Sequence, residues 1–88
     1  MIRLLFLGDI VGEPGRTAAK KVVTAMLAEN AVDFVVVNGE NAAHGRGITP
    51  KIAIDLLRSG VAVITTGDHV WDQKETAPYL PTEPRVLR

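Results

Sequence analysis

The sequence predicts an α/β fold, a βαβαβ arrangement of one parallel sheet with helical crossovers, and two observations predict it. Three apolar runs of strand length, residues 4–7, 34–37 and 61–64, each stop at a glycine accompanied by acid, amide or imidazole groups: Gly8-Asp9, Asn38-Gly39-Glu40-Asn41 and Gly67-Asp68-His69. Between them lie two segments with a helical repeat, joined by short connections. That alternation implies parallel strands and right-handed crossovers.

Each element has its own signal. Residues 4–7 are continuously apolar, as suits a strand buried on both faces of a parallel sheet. Over residues 15–30, Ala18, Val22, Ala25, Met26 and Leu27 fall near a 3.6-residue period, with Arg16, Lys20, Lys21 and Glu29 largely opposite. The glycines of "AAHGRG" mark a loop. Thr49-Pro50 opens a helix, Thr as N-cap and Pro in the first helical position. It turns Ile52, Ala53, Leu56 and Leu57 inward and stops at Ser59-Gly60. After the third strand, residues 72–80 form a short last helix, and residues 81–88 are a proline-broken tail in which 85–88 begin another strand.

Composition narrows the function classes. The 88 residues make one domain at most, and 47% hydrophobic content calls for a folded core. Ten basic and ten acidic residues give a net charge of +0, so there is no footprint for DNA or an anionic membrane. With no cysteine, disulfides, thiolate metal sites and thiol catalysis are excluded. Asp9 interrupts the opening apolar run, and no stretch reaches the roughly 20 apolar residues of a membrane span. The expectation is a soluble cytoplasmic protein.

In a parallel sheet every strand ends along one edge, which places Asp9, Glu40, Asn41, Asp68 and His69 on a common rim. Three acids and an amide there repel unless a positive charge lies between them. Oxygen donors with an imidazole suit divalent ions from magnesium and manganese to iron and zinc. Two such ions can be bridged by a central carboxylate, for which Glu40 is the candidate. His69 can protonate a leaving oxygen, since imidazole titrates near physiological pH. The competing reading makes these residues turn formers, helix caps and a hydrogen-bonded loop histidine.

Other residues carry weaker signals. His44 and Arg46 sit in the glycine-rich loop, facing either substrate or solvent. "GDIVGEPG" lacks both the dinucleotide and the P-loop spacing and simply presents Asp9. Trp71 is expected to pack beside the rim, and Arg16 and Lys51 to be solvated at helix starts.

Together "LFLGDIVGEPGR", "DFVVVNGENAAHGRGITP" and "VITTGDHVWDQKE" resemble the YmdB-type branch of the calcineurin-like metallophosphoesterases over nearly the whole chain. The resemblance implies an α/β sandwich and two divalent transition-metal ions, iron, manganese or zinc. It also implies phosphodiesterase activity on 2′,3′-cyclic nucleotides or related small phosphodiesters. By the same resemblance Asp9 and Asn41 are ligands of the first metal, Glu40 bridges, and Asp68 is a ligand of the second. His69 is then the proton donor to the leaving oxygen, after attack on phosphorus by a hydroxide held between the metals.

Two departures matter. Asp68 stands where the family pattern Gly-Asn-His has asparagine, adding a negative charge beside a cation that accepts either oxygen equally. The family is also much longer, with further histidine ligands in its later half, whereas His44 and His69 are the two histidines here. Residues 1–88 are therefore expected to be the N-terminal part of a metallophosphoesterase domain, with at most partial metal occupancy and poor activity alone. An open sheet edge then invites pairing with another copy. The alternative is a non-catalytic interaction or assembly module derived from such an enzyme, and a Rossmann-like nucleotide-binding module is a third possibility. Metal dependence separates the first reading from the other two.

Overall fold

The computed structural model describes residues 1–88, with every side chain except that of Asp68. The chain runs β1 (Leu4–Leu7), α1 (Gly12–Ala28), β2 (Phe34–Asn38), α2 (Pro50–Arg58) and β3 (Val63–Thr65). A 3₁₀ turn (Asp68–Asp72), the one-turn helix α3 (Thr76–Tyr79), a second 3₁₀ turn (Leu80–Thr82) and β4 (Val86–Leu87) follow. The strands are parallel and lie in the sheet in chain order, with Leu4 opposite Phe34, Val36 opposite Val63 and Ile64 opposite Val86. The α/β parallel sheet read from the sequence is therefore present, with β4 where residues 85–88 suggested a strand.

Chain order in the sheet decides which face is covered. Right-handed crossovers that all step in one direction put α1 and α2 on the same face. Val35, Val37, Ile64 and Val86 point into that layer and meet Val23 of α1 and Leu56 of α2 in one core. Each large aliphatic side chain fully buried there contributes about 1.5–3 kcal/mol. The other face is bare: Leu4 is 61% exposed, Phe6 57%, Phe34 42% and Leu87 49%. The expectation of strands buried on both faces is thus corrected. Here the exposed apolar surface is a sheet face as well as an edge.

α2 follows its sequence signals. The Thr49 hydroxyl accepts from Ile52 N–H at 3.2 Å, Pro50 needs no donor in the first turn, and Ser59 closes the helix. Ala53, Leu56 and Leu57 are buried and Ile52 is half-buried.

α1 departs in two ways. It starts at Gly12, three residues early, because Pro14 falls in the first turn, where a missing N–H costs nothing. Its buried face is Ala19 and Val23, extended by half-buried Met26 and Leu27, rather than Ala18, Val22 and Ala25. The doublets Ala18-Ala19 and Val22-Val23 offer two apolar stripes one residue apart, and the packed one leaves Val22 41% exposed. The third strand begins at Val63 rather than residue 61, since Val61 N–H still closes the end of α2 on Leu56 O. The expected last helix over 72–80 shrinks to α3 between the two 3₁₀ turns.

Arg3 grips Asp33 with its backbone N–H at 2.8 Å and its guanidinium at 3.2 and 3.4 Å, fixing the entry into β1 beside that of β2. Those bonds hold the Asp33 carboxyl below the usual carboxylate range. The pair is exposed, so its net contribution is small. Among the described residues, no helix is long and apolar enough to cross a membrane.

The Tyr79 hydroxyl is buried without a hydrogen-bond partner among the described residues, and burial, followed by the charge of Glu83, pushes its pKa up. An unpaired buried hydroxyl opposes folding by about 1–3 kcal/mol. Tyr79→Phe is therefore expected to raise the thermal midpoint, or at least to leave it unchanged. A fall of several degrees on thermal denaturation would show that the hydroxyl is satisfied.

Candidate active site at the carboxyl edge of the sheet

The rim is built by extending the strand ladders past their ends. Ile10 N–H donates to Asn38 O at 3.2 Å, Gly12 N–H to Asn41 O at 3.1 Å, and Gly39 N–H to Thr65 O at 2.9 Å. Val11 and Asn41 add an isolated parallel bridge. These bonds hold the turns after β1, β2 and β3 side by side, so residues far apart in sequence converge. Asn38 adds a side-chain tie, its amide donating to Thr65 Oγ1 at 3.3 Å.

Asp9 sits at φ 31°, on the left-handed side, where a residue with a Cβ costs on the order of 1–3 kcal/mol. Its carboxylate accepts from Asn41 Nδ2 at 2.7 Å. Asn41 Oδ1 lies 2.6 Å from His69 Nδ1. An amide oxygen can only accept, so Nδ1 carries the proton and donates. In the neutral ring Nε2 is then the free lone pair, and on protonation it becomes the outward donor. The chain Asp9–Asn41–His69 thus fixes both the tautomer and the orientation of the imidazole. Glu40 stands alongside, Oε2 at 4.0 Å from His69 Nδ1.

Two glycines, read from the sequence only as a loop residue and a strand stop, make room for this cluster. A Cβ at Gly67 would lie 2.5 Å from Glu40 Oε2, so the bare backbone of residue 67 forms the wall on which the carboxylate rests. A Cβ at Gly47 would lie 2.6 Å from His69 O. Around that approach the 44–47 loop is clasped to the 3₁₀ turn: Gln73 Nε2 donates to Arg46 O at 2.8 Å, and Arg46 pairs with Asp72 at 3.7 Å. The buried Thr76 hydroxyl donates to Ile48 O just beyond. Nothing in the local sequence discloses these contacts, because each joins residues more than twenty positions apart.

Of the five predicted rim residues, Asp9, Glu40, Asn41 and His69 come together. Asp68 opens the 3₁₀ turn directly before His69, and its side chain lies outside the described residues. His44 is exposed at φ 53° and stands apart from the cluster. Trp71 does not pack as expected: it is 51% exposed, with the Arg88 guanidinium 5.3 Å from its ring centre.

The donor set suits a divalent cation in kind, with two carboxylates, an amide oxygen and an imidazole. In number it does not complete a shell. Among the described residues, no group of three or more His, Cys, Asp or Glu side chains could hold a metal ion. Asp9 Oδ1 and Asn41 Oδ1 are moreover occupied by the hydrogen-bond chain.

Comparison with known proteins agrees with this architecture. The chain is 44% identical over 87 residues to a 2′,3′-cyclic-nucleotide 2′-phosphodiesterase of Bacillus subtilis (strain 168), covering 99% of this chain and 33% of that protein. It superposes on a crystal structure of a novel phosphatase from Mycoplasma pneumoniae with a TM-score of 0.89 at 34% identity, over 99% of this chain and 31% of that one. A hypothetical protein from Thermus thermophilus matches with a TM-score of 0.86 at 37% identity, over 98% and 33%. The chain therefore spans about a third of the length of the curated relatives it matches. The profile of the family described as YmdB-like protein matches residues 5–88. Over all but its first four residues, then, the chain belongs to the YmdB-like protein family.

Proposed function

We propose that the chain forms part of a metal-dependent phosphodiesterase acting on 2′,3′-cyclic nucleotides or related small phosphodiesters. The observation that carries this is the convergence of Asp9, Glu40, Asn41 and His69 on one sheet edge, with His69 Nδ1 tied to Asn41 Oδ1 at 2.6 Å. The name of the Bacillus subtilis relative supports the substrate class. Residues 1–88 are one part of the catalytic domain, with further ligands supplied by polypeptide matching the rest of the relatives' length.

Asp9, Asn41 and Asp68 would hold the cations singly, and Glu40 would lie between them. When bound, the cations supply an activated water and neutralise phosphate charge. The chain's own residues do the rest. Asn41 holds the imidazole with Nε2 outward, and His69 passes a proton from Nε2 to the leaving oxygen. Glu40, lying against the glycine backbone of residue 67, presents its carboxylate beside His69.

The test uses the gene product purified from its source organism under metal-retaining conditions. Hydrolysis of a 2′,3′-cyclic nucleotide is expected, lost on chelation and restored by a divalent cation. His69→Ala is expected to lower kcat by about 10²–10⁴-fold and to remove the limb of the pH–rate profile due to the acid. An unchanged profile would refute the proton-donor role, and full activity after exhaustive chelation would refute the metal-dependent reading. The second reading, an interaction module, is favoured by the bare face carrying Leu4, Phe6, Phe34 and Leu87. It predicts no metal and no hydrolysis.

A further inference from the structure

Away from the rim, α1 and α2 enclose a groove of about 1030 Å³, on the helical side of the molecule. None of Asp9, Glu40, Asn41 and His69 lines it. Four cations do, Arg16 and Lys20 from α1 and Lys51 and Arg58 from α2, against two carboxylates, Glu13 and Asp55. In a chain of net charge +0 this is a local concentration of positive charge.

The arrangement of those charges is specific. Asp55, midway along α2, is neutralised by Lys20 at 2.6 Å, and that pair also braces the two helices across the groove. Arg16 gives one guanidinium nitrogen to Ala42 O at 2.7 Å, which anchors it and leaves its other donors available. Lys51 and Arg58 are exposed and make no ion pair among the described residues. They stand seven residues apart on α2, about 10 Å along the helix at 1.5 Å per residue. An anion with charge spread along its length matches that spacing without drawing the two side chains together. Among the described residues no phenyl, phenol or indole ring lines the groove, whose aromatic lining is the His44 imidazole, so it offers little stacking platform for exposed bases.

From this we propose that the α1–α2 groove binds an oligophosphate, a chain of several phosphate groups, either free or carried by a nucleoside. Arg16, Lys51 and Arg58 contact the phosphates, and the Lys20–Asp55 brace sets the width. Among the described lining residues, Glu13 is the carboxylate that opposes the ligand without a cation paired to it. The assignment is independent of the chemistry proposed for the rim.

The test is titration calorimetry of the whole gene product with tripolyphosphate, ATP and orthophosphate in EDTA, with amide chemical shifts to locate the ligand. Tripolyphosphate is expected to bind saturably and at least tenfold more tightly than orthophosphate, shifting residues of α1 and α2. The double variant Lys51→Gln/Arg58→Gln should weaken it at least tenfold, and Glu13→Gln should tighten it about two- to threefold by removing a like charge. Equal affinity for ATP supports recognition of the phosphate chain alone. Tighter ATP binding supports a nucleoside-borne chain, with Ile52 and Ile54 against the nucleoside. Absence of saturable binding at millimolar concentration, shifts confined to the rim, or unchanged affinity in the double variant would each overturn the assignment.

Discussion

Gly47→Ala is expected to cost about 2–5 kcal/mol of folding stability, through two contributions at one atom. Gly47 sits at φ 73°, a left-handed conformation that costs an alanine roughly 1–2 kcal/mol. The added methyl would also lie 2.6 Å from His69 O and 3.0 Å from Gln73 Cγ. Gln73 can retreat, but the carbonyl belongs to the 3₁₀ turn and moves only with its backbone. Overpacking of this kind adds about 1–3 kcal/mol. Gly45→Ala separates the two contributions, since Gly45 has φ 83° but its nearest atom to an added Cβ, on Val11, is at 3.7 Å. Denaturant midpoints should therefore fall much further for Gly47→Ala than for Gly45→Ala. Equal losses would show that the 44–47 loop yields cheaply and does not hold the His69 backbone.

That contact also illustrates what the sequence could and could not disclose. The rim was legible because an apolar run that ends on glycine and an acid leaves a local mark, and the parallel topology aligned three such marks. α2 was legible for a similar reason: Thr49-Pro50 and Ser59-Gly60 are boundary chemistry within a few residues of the ends they set. The phase of α1 was not. Ala18-Ala19 and Val22-Val23 permit two apolar faces, and only packing into the common core selects the one with Ala19 and Val23. The bare sheet face was hidden likewise, because "FVVV" conceals an alternation in which Val35 and Val37 are buried and Phe34 is exposed. Gly47 and Gly67 were illegible in a deeper sense. Their reason for being glycine lies in His69 O and in Glu40, brought close only by the fold.

Gly67→Ala carries the second large effect, and it falls on function rather than stability. Gly67 has φ −156°, outside the left-handed region that favours glycine. The obstacle is the Glu40 carboxylate, which an added Cβ would approach to 2.5 Å at Oε2 and 3.1 Å at Cδ. A carboxylate at the end of a flexible side chain can swing away at little energetic cost, so the unfolding midpoint should move by less than about 1 kcal/mol. What is lost is the position of Glu40 beside His69, now 4.0 Å from Oε2 to Nδ1. If Glu40 is the carboxylate between the two cations, metal affinity and hydrolysis should fall together by roughly 10–100-fold, as when a group that orients a ligand is removed. The decisive measurement is a double-mutant cycle read by metal content and kcat/KM. Glu40→Ala alone should abolish loading of the second cation. Adding Gly67→Ala to it should change nothing further, because both substitutions act through the same carboxylate. Additive losses would mean that Gly67 serves the backbone of the 3₁₀ turn rather than Glu40, and full metal loading in Glu40→Ala would remove Glu40 from the bridging role.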